Sequence, residues 1–319
     1  MRLTPSLLVA FFISVMPYPG ASLTIGAVQP ALRSASTSPL ESARHCARLM
    51  RDAAAANAVV KTEHEAEGET EGGKPGNIDL FVLPELCPIG YSESTFDEYL
   101  AGAVDSSVLD DINRDIEKVM SETAQETGAY VCYGAIGTKD DGGDGGKREW
   151  TIRQIVLDDK GTRVAHYDKI HLCDYGDCAE TRYFVPGSET VSFNCCGLKV
   201  GVIICADMRN PSLSRELAGR HGADVILQPA AFSRDVSFRT WRSFRETRAV
   251  ENSVYFVGVN YAGEYYGDTT LVEPWVDEHH EPTSLGMGEG VLVGTLQGNV
   301  LDTIRKSFPY YQQLQREGW

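Results

Sequence analysis

The stretch LKVGVIICADMRNP, residues 198–211, carries a mostly apolar run into Cys205, then a polar turn and a proline. An apolar run of this length, bounded by turn signals, predicts a buried central strand over 198–204. Pro211 suits the first position of a helix. Leu213, Leu217 and Ala218 extend an apolar face beyond it, so a helix is predicted over 211–221. Cys205 falls on the turn between the two. A cysteine at such a turn can meet backbone N–H groups and an exposed cleft, which lower the pKa of a thiol and raise its reactivity. Free cysteine is also among the most buried residue types. Position alone leaves a reactive and a structural thiol both open.

The same alternation extends in both directions. Downstream, strands are predicted over 225–228 and 254–260, with a helix over 240–252 between them. Upstream, a strand over 24–29 precedes an Ala-rich helix over 40–60. A short strand over 80–83 ends at Pro84 and delivers Glu85 to its C-terminal edge. Val108, Leu109, Ile112, Ile116 and Val119 follow a period near 3.6 and predict a helix over 105–127. Strands over 130–136 and 151–157 flank a Gly-rich loop, and a strand-like run over 162–167 leads to Lys169. This alternation favours a layered α/β fold over an all-helical or all-β one.

No linker divides the chain, so residues 24–319 are expected to form a single domain. EHEAEGETEGGKPG (63–76) and KDDGGDGGK (139–147) are polar and Gly-rich, and read as surface loop insertions. Residues 1–23 read as an N-terminal extension or a signal segment. The apolar part, 7–16, falls far short of the roughly 20 residues that span a bilayer. No clean small-x-small cleavage site follows it. Residues 308–319 read as a tail that must pack on something, a partner subunit among the options.

The 319 residues are 42% hydrophobic and 23% charged, with net charge −16. That balance excludes a fibrous or wholly disordered chain. It also argues against a broad nucleic-acid or anionic-membrane surface. The two acidic loops hold a disproportionate share of the acidic residues, a net −5 of the −16. Eight cysteines are too few for a disulfide-stapled miniprotein. His171, Cys173, Cys178, Cys195 and Cys196 are near one another in sequence, yet no paired CxxC occurs and Lys169 and Glu180 interleave with them. No metal and no cofactor is therefore expected. His279 and His280 read as a solvated turn near Pro282. No Asn-x-Ser/Thr acceptor with a permitted middle residue occurs, since Asn210 precedes Pro211. A cytoplasmic setting is favoured over secretion.

Three charged residues stand out beside Cys205. Glu85 at a strand end is either paired or functional, because a buried carboxylate needs a partner. Lys169, in DKIHL, reads singly as a solvated lysine. Glu180 precedes YFVPG and is ambiguous alone. Together they resemble the carbon–nitrogen hydrolase, or nitrilase-like, superfamily. Its three signatures match VLPELCPIGY around Glu85, YDKIHLCD around Lys169 and GVIICADMRNP around Cys205. Glu180, six residues before Pro186, resembles the family's second glutamate. The likeness continues through RAVENSVYFVGVN (248–260) and KSFP (306–309).

The resemblance implies a four-layer αββα sandwich, associated as a homodimer or higher homo-oligomer. It implies Cys205 as nucleophile, Glu85 as general base, Lys169 beside the developing oxyanion, and Glu180 positioning substrate or Lys169. CADMR at 205–209 is similar to the Cys-x-Asp-x-Arg pattern of amidase and carbamoylase branches, whereas nitrilases place Trp-Glu after the nucleophile. The expected substrate is a small linear amide or N-carbamoyl amine. A nitrilase, an acyltransferase to an amine, and a non-catalytic scaffold remain as alternatives. Ala206, through its N–H and small side chain, and Arg209 or Arg234, facing a substrate carboxylate, are the expected binding residues. Each arginine reads equally as half of a structural salt bridge.

Overall fold

The computed structural model describes residues 20–64, 77–100, 106–139, 148–175 and 178–317. The apolar segment over 7–16 and nearly all of both acidic loops lie outside the described residues.

Strand β1 (Ser22–Gln29) is buried at seven of its eight positions, because it is paired on both edges and covered on both faces. Helix α1 (Pro39–His64) follows. Its start is a capping box: Ser38 Oγ accepts from Glu41 N–H at 3.2 Å, and Ser38 N–H donates to Glu41 Oε2 at 2.8 Å. Strand β2 (Leu80–Val82), helices α2 (Glu93–Leu100) and α3 (Ser106–Thr127), and strands β3 (Tyr130–Lys139), β4 (Glu149–Leu157) and β5 (Arg163–Asp168) complete the first half.

The second half contains β6 (Val191–Cys195), β7 (Leu198–Val202), α4 (Pro211–Gly219), β8 (Val225–Pro229), α5 (Arg239–Asn252) and β9 (Tyr255–Val259). Strands β10 (Thr270–Val272), β11 (Thr283–Ser284) and β12 (Gly290–Gln297) and helices α6 (Gly298–Ser307) and α7 (Tyr310–Arg316) end the chain. The strands form two six-stranded sheets, ordered β12-β1-β2-β3-β4-β5 and β11-β10-β9-β8-β7-β6. Each has three parallel strands at its centre and antiparallel strands at its flanks.

The sheets face one another, with β1 against β9 and β5 against β6. Helices α1 and α3 cover the outside of the first sheet, and α4 and α5 that of the second. This is the expected αββα sandwich. Among the described residues, no helix is long and apolar enough to cross a membrane.

Three expectations need correction. β7 stops at Val202; Ile203 N–H still donates to the Leu227 carbonyl of the neighbouring strand at 3.0 Å, and Ile204 N–H turns to Asp207 instead, entering the Cys205 turn. The C-terminal segment finds its packing partner within the chain itself. As α7 it lies on the chain's own α4 and α5, burying Leu314, and Gln315 Nε2 donates to the Gly219 carbonyl at 3.1 Å. Strands β6, β10, β11 and β12 and helices α2 and α6 were not expected. β10 and β11 have three and two residues, too few for a period to register.

Candidate active site

Open α/β sheets bind ligands beyond the carboxyl ends of their parallel strands, and the expected residues gather there. Glu85 follows β2, Lys169 follows β5, and Cys205 follows β7. Glu180 begins a 3-10 turn, Glu180–Arg182.

Lys169 Nζ donates to Glu85 Oε1 and to Glu180 Oε1, each at 2.7 Å, and all three side chains are fully buried. The other oxygens are also held. Ala231 N–H, just past β8, donates to Glu85 Oε2 at 3.0 Å. Cys173 N–H donates to Glu180 Oε2 at 2.8 Å, and Tyr91 O–H donates to Glu180 Oε1 at 2.6 Å. Tyr261 O–H fixes the Glu85 main chain through its carbonyl at 2.7 Å. Breaking such a buried, mutually satisfied cluster by removing one charge costs about 3–5 kcal/mol.

With both carboxylates ionised the trio would carry a net negative charge out of contact with water. Burial is the main reason that the Glu85 carboxyl rises to about 7. Lys169 opposes the rise and the charge of Glu180 adds to it. Burial alone would lower the Lys169 ammonium, but the charges of Glu85 and Glu180 outweigh it and hold the group well above its ordinary range. Cys205 is buried and lies within electrostatic reach of Glu85, Lys169 and Glu180. The turn was expected to lower this thiol; instead burial and the Glu85 charge push it well up, against the pull of Lys169. A thiol in that state needs a base at the moment it reacts.

Two tight turns aim these groups. Cys205 opens a 3-10 turn, Cys205–Arg209, with φ = 43°, and Leu86, next to Glu85, has φ = 53°. Left-handed backbone at such residues costs on the order of 1–3 kcal/mol and persists only where its surroundings impose it. Asp207 imposes it at Cys205. Its Oδ2 accepts from Ile204 N–H at 3.0 Å and Tyr167 O–H at 2.7 Å. Its Oδ1 accepts from His171 N–H at 2.7 Å and lies 3.1 Å from His171 Nδ1. Gln228 Nε2 caps the Cys205 carbonyl at 3.2 Å, and Arg248 Nε caps that of Met208 at 3.1 Å. At Leu86, β3 does the work. Gly134 N–H donates to the Cys87 carbonyl at 2.8 Å, and a Cβ on Gly134 would stand 2.4 Å from Leu86 N.

Ala206 and Arg209 line one hollow of ≈ 410 Å³ with His171, Leu172, Tyr175, Asn210 and Pro211. Arg209 makes no carboxylate salt bridge among the described residues. Its guanidinium lies over the rings of Tyr175, Phe232 and Phe244, at 4.9, 5.3 and 5.7 Å, and donates to Ser237 Oγ at 3.2 Å. Its buried Nε has no partner. Arg234 is exposed and does not line this hollow. It packs on Phe238 at 4.1 Å and donates to the Tyr266 carbonyl. All eight cysteines are free thiols, and no cluster of three or more metal-ligating side chains occurs among the described residues. His280 Nδ1 lies 2.8 Å from Asp277 Oδ1 in an exposed turn.

Tyr91, Ala231, Tyr261, Tyr167 and His171 were not anticipated as site residues. Tyr91 closes the Glu85 signature and His171 lies inside the Lys169 signature, so both were in view without a partner being evident. Ala231 acts through its main chain, which no side-chain pattern reveals.

Known proteins align with this chain. The mouse deaminated glutathione amidase is 28% identical over 63% of this chain and 64% of its own length. The chain thus spans slightly under two thirds of that relative. The human omega-amidase NIT2 is 28% identical over 77% of this chain and 85% of its own. Among solved structures, a mutant of a Nesterenkonia amidase from the nitrilase superfamily superposes with a TM-score of 0.67. It is 20% identical, covering 95% of this chain and 99% of that one, and supports the fold. The carbon-nitrogen hydrolase model matches residues 51–306, a span that contains Glu85, Lys169, Glu180 and Cys205. With four-fifths of its length inside that match, the chain belongs to the carbon–nitrogen hydrolase family.

Proposed function

We propose that the protein is a thiol hydrolase that cleaves a small linear amide or N-carbamoyl amine through a cysteine acyl-enzyme. The observation that carries this reading is the buried Lys169 bridging Glu85 and Glu180 at 2.7 Å, within electrostatic reach of a thiol on a left-handed turn. Glu85 takes the Cys205 proton as Sγ attacks the carbonyl carbon. Lys169 and the Ala206 N–H receive the developing oxyanion; that N–H sits at the start of the turn, where it has no partner inside the turn. Protonated Glu85 then passes its proton to the leaving nitrogen, and ammonia or an amine departs from the thioester. Water, deprotonated by Glu85, attacks the thioester carbon, and the proton returns to Cys205 as the acid is released.

Glu180 holds Lys169 in place through this cycle. The Cys-x-Asp-x-Arg pattern and the names of the amidase relatives favour an amide over a nitrile. Arg209, set on aromatic rings with an unpartnered Nε at the hollow, is the cation assigned to a substrate carboxylate. Arg234 is the weaker assignment, since its guanidinium is committed to the Tyr266 carbonyl. A second copy of the chain is the expected assembly partner, testable by sedimentation over a concentration series.

The test is a panel of amides, carbamoyl compounds and nitriles, reading ammonia release and the mass of trapped acyl-enzyme. Amide turnover with an acyl adduct on Cys205, both lost in Cys205→Ala, is expected. Ammonia release undiminished in that variant would refute the mechanism, and turnover of nitriles alone would move the protein to the nitrilase class.

A further inference from the structure

The cap of helix α4 is joined to the Cys205 turn through one histidine. Asn210 is the cap: its Oδ1 accepts from Ser212 N–H at 3.0 Å and from Ser212 Oγ–H at 2.6 Å. A main-chain N–H only donates, so the oxygen of the Asn210 amide must face Ser212. The amide nitrogen, which also only donates, is left facing His171 Nε2 at 2.8 Å. His171 Nε2 must therefore accept, and the neutral ring carries its proton on Nδ1. That proton faces Asp207 Oδ1, 3.1 Å from Nδ1. Along this series of bonds every donor meets an acceptor.

The series ends at the reactive turn. Asp207 is fully buried, and its Oδ2 accepts at 3.0 Å from Ile204 N–H, the residue immediately before Cys205. The ring itself keeps 38% of its side chain exposed, so water can bring it a proton. Asp207 faces the ring from the 3-10 turn, and Arg209 and Tyr175 share the hollow that the ring lines. The hydrogen bond to Asp207 raises the imidazole above its ordinary value, against burial. A proton on Nε2 would set N–H against the Asn210 amide N–H, two donors with no acceptor between them. The link to Asn210 exists only while the ring is neutral.

We propose that Asn210 is a positioning residue for Cys205: its amide nitrogen fixes His171 as the Nδ1–H tautomer, which braces Asp207 and with it the turn that presents the thiol. The other neutral tautomer would turn a bare Nδ1 toward the Asp207 carboxylate, acceptor against acceptor, and release that side of the turn. Capping α4 needs only the oxygen of Asn210, whereas fixing the tautomer needs its nitrogen. The inference rests on Cys205 as the reactive thiol, although the state of the ring can be read without it.

Asn210→Asp separates the two roles. Aspartate caps a helix as well as asparagine does, but it offers His171 an acceptor where the native residue offers a donor. NMR of protein labelled with heavy nitrogen in its histidines reads the ring, its signals assigned by their loss in His171→Asn or His171→Gln protein. In the native protein, above the pH at which the ring titrates, a protonated Nδ1 and a bare Nε2 are expected. In Asn210→Asp protein the titration should move to higher pH, since a carboxylate at Nε2 stabilises the imidazolium. The rate at which iodoacetamide alkylates Cys205 supplies a double-mutant cycle. Asn210→Ser keeps a capping oxygen, adds no charge and has no amide nitrogen. It should change the rate in the native background and leave it unchanged in the His171→Asn background, where an amide N–H replaces Nδ1–H and there is no tautomer to fix. Three outcomes would overturn the proposal: a neutral native ring protonated on Nε2, a titration in Asn210→Asp protein that stays or falls, or equal rate changes in the two backgrounds. Failure of the proposed reaction shows separately, as a panel on which nothing turns over while the ring still carries its proton on Nδ1.

Discussion

Burial places the Glu85 carboxyl where a general base is useful, at about 7 rather than near 4.5. The sign of its pH dependence follows. Below about 7 the carboxyl carries its proton and cannot take one from Cys205, so kcat/KM should fall about tenfold per pH unit on the acid side. A profile flat from pH 5 to 7, on the order of a 100-fold span of protonation, would be incompatible with Glu85 as base. Glu85→Gln should lower kcat by about 10²–10⁴-fold across that range, measured on whichever panel amide turns over. Glu85, Lys169, Glu180 and Cys205 were legible because their types and flanking motifs are rare in combination. That the lysine sits between the two glutamates, and that Tyr91 and the Ala231 N–H complete the oxygens' partners, was not legible. Those contacts join residues 89 and 146 positions apart.

At the scale of elements, the Cys205 and Leu86 turns both depend on neighbours for their left-handed backbone. Asp207 gathers donors from Ile204, Tyr167 and His171 and so ties the Cys205 turn to the loop after β5. Asp207→Ala leaves those donors unpaired and should cost about 3 kcal/mol, read as a lower urea midpoint. It should also change the rate at which iodoacetamide alkylates Cys205, since the turn loses its brace. Gly134→Ala presses a methyl against the Leu86 and Cys87 amides and should cost about 1–3 kcal/mol. Its signature is a fall in kcat larger than that produced by Gly128→Ala. Gly128 has open space around its Cβ position, though its φ of 66° also strains an alanine there. If the two variants turned over equally, β3 would not be positioning Glu85. The strands that sequence located, β1, β2, β3, β4, β5, β7, β8 and β9, are those with clear apolar runs or alternation. β12 escaped notice because its GVLVGTLQ alternation is interrupted by Gly294, whose Cβ would meet Leu271 at 2.6 Å.

Over the whole molecule, the C-terminal helix closes the second helical layer instead of reaching outward. Leu314 is 1% exposed between α7 and the pair α4 and α5, the latter carrying Arg248, which caps the Cys205 turn. Leu314→Ala should cost about 2–4 kcal/mol, seen as a lower thermal midpoint. An unchanged midpoint would mean that α7 does not contribute to the stability of this layer. Sequence by itself determined the layered α/β class, the order of most buried elements and the candidates Glu85, Lys169, Glu180 and Cys205. Those features are local: apolar period, turn chemistry and short motifs are written in consecutive residues. Only the tertiary structure decided that Glu85 titrates near neutrality, that Arg209 rests on aromatic rings, and that Tyr91 reaches Glu180. Each depends on burial and on distances between groups remote along the chain, and Coulomb and desolvation energies are set by those distances.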